Sequence, residues 1–217
     1  MSMSIPKRFA ILVDASFLKW KLYAEINSNR GRGERRHITC PDIVRKIKSI
    51  GEKRELREHE LFRVFYYDAP PGEGQFVNPL SSKSINYANT ETSARNTQIL
   101  SEIGLERNFA VRKGSVKYRG WVVPNNKVGE VVKRHQPIIR DDDLKPDFQQ
   151  KGVDMKIGLD IASLSAKHVV DILVLVTGDA DFIPAMKLAR REGLLVYLEA
   201  LGHGVNDMLK VHADVVI

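Results

Sequence analysis

The sequence predicts an α/β protein built on a mostly parallel sheet with helices on both faces. Three observations predict it. Arg8–Asp14 (RFAILVD) is a short, nearly continuous apolar run, the pattern of a strand buried on both faces, and it feeds straight into helical spacing. Asp171–Thr177 (DILVLVT) is a second such run. Around it the pattern alternates between strand and helix to the C-terminus, which implies βαβ units.

Each element can be justified in order. After Arg8–Asp14, apolar residues at Phe17, Leu18, Leu22, Tyr23 and Ile26 give a helix to Ile26. Residues 29–37 (NRGRGERRH), with two glycines and four arginines, read as an exposed loop. Thr39 is an N-cap and Pro41 sits in the first turn of a second helix, with Ile43, Val44, Ile47 and Ile50 on one face. Glu60–Asp68, rich in aromatic and β-branched residues, is a strand that Ala69-Pro70-Pro71-Gly72 breaks. A helix is expected somewhere in 82–105. Residues 109–113 and 117–123, flanking Gly114-Ser115, read as a hairpin ended by Pro124. Residues 141–150 are polar and carry Pro146, so a loop is expected. From Gly152 a helix runs to about Lys167, and the strand 171–177 follows. A helix over 182–191 has Pro184 in its first turn and Gly193 closing it. Residues 194–199 form a strand, 205–211 a short helix and 214–217 a last strand. The expected organisation is one domain over 1–217, elaborated at about 70–150.

Composition narrows the function. A chain of 217 residues buries roughly 70% of the surface its unfolded form exposes, so its core needs no disulfide or structural metal. The single cysteine, Cys40, excludes an internal disulfide framework and a cysteine-rich zinc site, and is expected to pack at a helix start. No apolar run approaches a membrane span and residues 1–8 hold no signal-like apolar segment, so a cytoplasmic protein without membrane attachment is expected. The formal charge of +7 is unevenly spread. Residues 1–60 carry 14 basic and 8 acidic residues and 105–134 carry 8 and 2, whereas 135–217 carry 9 and 13. That asymmetry suits a protein that binds a polyanion on one surface and uses carboxylates elsewhere.

The carboxylates fall where doubly wound sheets bind ligands, at the C-terminal ends of strands. Asp14 ends the first strand, Asp179 and Asp181 follow 171–177, and Asp154 opens the helix before it. If those two strands are neighbours, the acids converge and repel one another unless a cation neutralises them. Oxygen-only ligation selects Mg²⁺ or Mn²⁺ over Zn²⁺, and such sites act on phosphate through metal-activated water. Asp160 is six residues from Asp154, about 600° around the helix, so it belongs on another face.

Four blocks then carry a resemblance: Val13-Asp14-Ala15-Ser16-Phe17-Leu18, Tyr66-Tyr67-Asp68-Ala69-Pro70-Pro71, the stretch Lys151-Gly152-Val153-Asp154-Met155-Lys156-Ile157-Gly158-Leu159-Asp160, and Thr177-Gly178-Asp179-Ala180-Asp181-Phe182. Together and in this order the chain resembles the LabA-like branch of the NYN domain family, within the PIN-like superfamily. The resemblance implies a three-layer α/β/α fold and a Mg²⁺- or Mn²⁺-dependent ribonuclease site. Asp14, Asp154, Asp179 and Asp181 match the family's acidic set, Ser16 stands near a supporting polar residue that is often Asn, and Thr177 matches a Ser or Thr that orients an acid or touches phosphate.

For RNA, Arg30, Arg32, Arg35 and Arg36 suit phosphate contacts, as do Arg112, Lys113, Lys117 and Arg119, with Tyr118 and Trp121 interleaved for base stacking. Lys156 adds a phosphate contact or a plain surface lysine, Asp68 a turn residue or a further ligand, and His203 a surface loop. A haloacid-dehalogenase-type phosphatase would need an Asp at position 16, which is Ser, and no P-loop motif occurs. The expected activity is a metal-dependent endoribonuclease. The competing expectation is a non-catalytic RNA-binding or regulatory module of the same fold, and a homodimer is compatible with either.

Overall fold

A computed structural model describes residues 6–136, 138–202, 204 and 207–217, with Arg32 described in its backbone only. His203 and the start of the helix expected over 205–211 lie outside the described residues. The chain separates into two compact units.

The first unit, residues 1–68, 99–113 and 152–217, contains the central sheet. Its strands are β1 (Arg8–Asp14), β2 (Glu60–Asp68), β5 (Phe109–Lys113), β8 (Ile172–Val176), β9 (Leu195–Glu199) and β10 (Val215–Val216). They lie in the order β10-β9-β8-β1-β2-β5 and all pair in parallel. This is the doubly wound order, in which the chain works outward from β1 to one edge and returns to its other side at β8. The direction reverses between β1 and β8, which pair from Phe9↔Ile172 to Val13↔Val176.

Alternation along the strands fills two cores. Phe9, Ile11 and Val13, with Ile172, Val174 and Val176, share one hydrophobic cluster with α1 (Ala15–Ile26), α2 (Cys40–Gly51) and the end of α3 (Glu91–Leu105). The opposite set, including Ala10, Leu12, Leu173 and Leu175, is buried too. On that side α5 (Val153–Lys167) contributes buried Ile157, Ile161 and Leu164, and α6 (Ile183–Arg191) contributes Met186 and Ala189. A short α7 (Asp207–His212) packs on α6. The three-layer α/β/α architecture expected from the sequence is therefore present. Asp42 caps α2 from within: it accepts the Thr39 N–H at 3.0 Å and the Thr39 hydroxyl at 2.8 Å.

The second unit, residues 69–98 and 114–151, holds a hairpin of β3 (Gln75–Val77) and β4 (Ser84–Asn86), the helix α4 (Asn125–Val132), and an antiparallel pair of β6 (Ser115–Val122) and β7 (Lys145–Lys151). It carries a partly exposed aromatic cluster: Phe76 meets Tyr118 at 4.2 Å and Phe148 at 5.3 Å between ring centroids, and Tyr87 meets Phe148 at 4.5 Å. A side chain at Gly72 would run into the Phe148 ring.

The structure corrects two expectations. Residues 109–113 and 117–123 do not form a hairpin; β5 joins the central sheet beside β2, and β6 pairs instead with β7. The chain changes sheet at Gly114, so the apparent turn is a crossing point. Residues 145–151 are a strand rather than a loop, because a two-stranded sheet is all edge and an edge tolerates Pro146.

Candidate active site

The site is built on the C-terminal edge of the central sheet where the strand order reverses. Asp14 is the last residue of β1 and the N-cap of α1, its Oδ1 accepting the Ser16 N–H at 2.9 Å and the Phe17 N–H at 3.3 Å. Such a cap satisfies donors that the first turn would leave open. Val13 pairs with Val176, so Thr177 and the loop after β8 continue beside Asp14. That loop organises itself. Buried Thr177 accepts the Asp179 N–H on its hydroxyl at 3.2 Å, and Asp179 Oδ1 accepts the Asp181 N–H at 2.9 Å. Asp154 stands in the first turn of α5, behind Gly152, whose φ of 76° turns the chain out of β7 into the helix.

The four aspartates are electrostatically linked. Burial pushes the Asp14 carboxyl above its ordinary range, and the charges of Asp154 and Asp179 push it further against the opposing pull of its two backbone hydrogen bonds. Asp154, exposed on α5, is also raised, first by its partial loss of water and then by the charges of Asp179 and Asp181. Among the described residues no Lys or Arg forms an ion pair with any of the four. Uncompensated negative charge of this kind favours a cation.

The donor set tests which cation fits. It consists of carboxylate oxygens, which suit Mg²⁺ or Mn²⁺. Among the described residues no three His, Cys, Asp or Glu side chains are close enough to hold an ion by direct contact. An ion here would be held by one or two carboxylates directly and otherwise through its own waters, as Mg²⁺ commonly is.

Two neighbouring acids are committed elsewhere. Asp68, 2% exposed at the end of β2, pairs with Lys19 of α1 at 2.8 Å. Asp160 accepts the Tyr67 hydroxyl at 2.8 Å and Arg112 Nε at 2.9 Å, and the Arg112 guanidinium also lies 5.2 Å from the Phe65 ring centre. Burial, followed by the Asp160 charge, holds the Tyr67 phenol far above its usual value. Asp14, Tyr67 and Arg112 share one register level across β1, β2 and β5. The sequence draws no attention to Lys19; its only signal is a lysine one turn into the helix behind Asp14.

The basic residues divide by environment. Arg36 clamps Asp42 through two bonds of 2.6 and 2.8 Å and holds its carboxyl well below the usual range. Arg30 donates to the Ile26 and Glu34 carbonyls. Arg35 is exposed, and the Arg32 side chain lies outside the described residues. Lys113 and Lys117 are exposed, and Arg119 donates to Gln149 at 2.7 Å. Tyr118 is exposed at the edge of the aromatic cluster of its unit, and among the described residues the Trp121 indole N–H is buried without a partner. Exposed Lys156 follows Asp154 in α5, and burial pushes the Cys40 thiol up to about 11. No helix among the described residues is long and apolar enough to cross a membrane.

The family model described as the NYN domain matches residues 8–217. No curated protein matches the chain. Among solved structures the chain is similar to the crystal structure of a protein of unknown function from Vibrio parahaemolyticus, with 17% sequence identity and a TM-score of 0.49, covering 100% of this chain and 95% of that one.

Proposed function

Since the chain belongs to the NYN domain family, within the PIN-like nuclease superfamily, we propose that it is a metal-dependent endoribonuclease of the LabA-like branch. The observation that supports the proposal is the mutual repulsion along Asp14, Asp154, Asp179 and Asp181 beside the β1–β8 reversal, which with partial loss of water raises Asp14 and Asp154, while among the described residues no cationic side chain is paired to the set. Asp14, Asp154 and Asp179 are the residues that would hold Mg²⁺ or Mn²⁺, at least one of them through a water of the ion. A bound ion supplies activated water and neutralises charge on the phosphate. The protein's own part is positional. Two backbone N–H groups fix Asp14, the Thr177 hydroxyl fixes the turn that presents Asp179, and Asp181 would orient the attacking water or complete the ligand set. Exposed Arg35, Lys113 and Lys156 of the first unit would contact the backbone of single-stranded or looped RNA, and Lys117 of the second unit is a separate candidate contact.

The test is incubation of the purified protein with single-stranded and structured RNA in Mg²⁺, Mn²⁺ or EDTA. Cleavage in either metal, loss in EDTA and loss in Asp14→Asn are expected; a folded wild type that cleaves no RNA in any metal sinks the proposal. A second reading, RNA binding without turnover, is favoured by the open spacing of the acids. Asp179→Asn separates the two: in an enzyme it abolishes cleavage and keeps binding, whereas a binding module has no cleavage to lose.

A further inference from the structure

Helix α1, which Asp14 caps, carries an aromatic feature that the acid chemistry does not use. Trp20 is 58% exposed, whereas most large apolar side chains on α1, α2 and the central sheet are buried. Its ring is nevertheless held in place. Phe17 packs against the hydrophobic core and meets Trp20 at 6.4 Å between ring centroids with a 52° tilt, and the Lys21 ammonium lies 4.6 Å from the Trp20 ring centre. Helical spacing puts Ser16, Trp20 and Tyr23 on one stripe, and all three are exposed. Trp20 is six residues from Asp14, about 9 Å along the axis and about 240° around it, so its ring stands on the outer face of α1, whereas the Asp14 carboxylate, bound to the first-turn N–H groups, stands at the helix end. A strand that turns over that end from the acids brings a neighbouring base to the ring.

We propose that Trp20, braced by Phe17 and Lys21, is a stacking platform for a nucleobase of single-stranded RNA whose backbone runs past the acidic site. An exposed indole costs free energy in water and recovers it against the flat face of a base, and every base offers such a face. Lys21 adds positive charge beside the ring, where the neighbouring phosphate would lie, and residues 1–60 are the more basic part of the chain outside 105–134. A platform on the helix capped by a catalytic acid ties base position to phosphate position, so Trp20 is a positioning residue for the cleavage register. The inference rests on the ribonuclease reading for the site, and on Trp20 for the contact.

The experiment measures binding of a fluorescein-labelled single-stranded oligoadenylate, and of an abasic oligomer with the same phosphates, to the full chain in Mg²⁺ on a cleavage-deficient Asp179→Asn background. Trp20→Ala should raise Kd for the oligoadenylate about five- to 150-fold and leave the abasic oligomer unchanged. Trp20→Phe should recover most of the loss, and tryptophan emission should be quenched by oligoadenylate with Trp20 present. The inference is overturned if Trp20→Ala leaves oligoadenylate binding within about twofold, weakens both oligomers equally, or if the chain binds neither. Cleavage by the otherwise native chain with Trp20→Ala binding normally overturns this inference alone. Binding through Trp20 with no cleavage in any metal overturns the ribonuclease reading and leaves the platform standing.

Discussion

Asp14 serves two opposed ends: as a cap it holds the first turn of α1, and as a charge it is repelled by Asp154 and Asp179. Its carboxyl is raised in the folded state, so ionisation costs stability. That cost is absent below the unfolded value near ~3.9 and fully present above the folded one. Asn caps a helix as well as Asp. Asp14→Asn should therefore raise Tm at pH 7, by about 2–4 °C for each ~1 kcal/mol relieved, and the gain should shrink as pH approaches ~4. Calorimetry at both pH values checks this; a lower Tm at pH 7 would mean that the carboxylate's cap bonds outweigh the repulsion. The wild type should also gain Tm on adding Mg²⁺, and Asp14→Asn should gain less. Arg35 and Arg36 show the limit of reading residues one at a time. In sequence they are adjacent arginines in a glycine-containing loop, and nothing local reveals that one guanidinium is clamped to a carboxylate six residues on. Their substitutions should separate: Arg35→Gln weakens RNA binding with Tm unchanged, and Arg36→Gln lowers Tm. Asp42 is held low by Arg36, so the Arg36 contribution is present above the unfolded value near ~3.9 and is lost as pH falls through the folded one.

At the level of elements, the strands of the central sheet were legible because burial on both faces leaves a run that no other element shares, as in Ile172–Val176. The second unit was not. β7 (KPDFQQK) has the composition of a loop and becomes a strand only through its pairing with β6. The polar helix α4 was hidden behind the Pro124 that starts it. β5 and β6 follow one another across Gly114 as hairpin strands would, and only the distant partners β2 and β7 send them to different sheets. Partner choice is not written in local spacing. The turn from β7 into α5 offers a test: Gly152 has φ of 76° and open space where a Cβ would stand, so Gly152→Ala meets backbone strain alone. It should cost about 1–2 kcal/mol, seen as a shifted denaturant midpoint, and should reduce cleavage further by disturbing the turn that carries Asp154. An unchanged midpoint would show that the turn relaxes without penalty.

Across the whole molecule, the place of the proposed site was legible because doubly wound sheets reverse their strand order where ligands bind, and the order β8-β1-β2 puts that reversal beside Asp14. How closely the acids approach was beyond sequence, since it depends on where α5 and the 177–181 loop settle. The net charge of +7 leads to a prediction at this scale. If Lys and Arg contacts to phosphate dominate, log K for single-stranded RNA falls linearly with log salt by roughly 0.7 for each phosphate neutralised. A titration between low and moderate salt measures that slope, and a flat response would refute backbone-led binding. The pairing of β1 with β8 has one more consequence, in time. Asp14 leaves the ribosome before Asp179, which follows 165 residues later, a delay on the order of ten seconds at ordinary rates of synthesis. Through that interval β1 can find β2 but not β8, and the acidic set is incomplete. A nascent chain is thus without its proposed cutting site for as long as the stretch between those two acids is being translated.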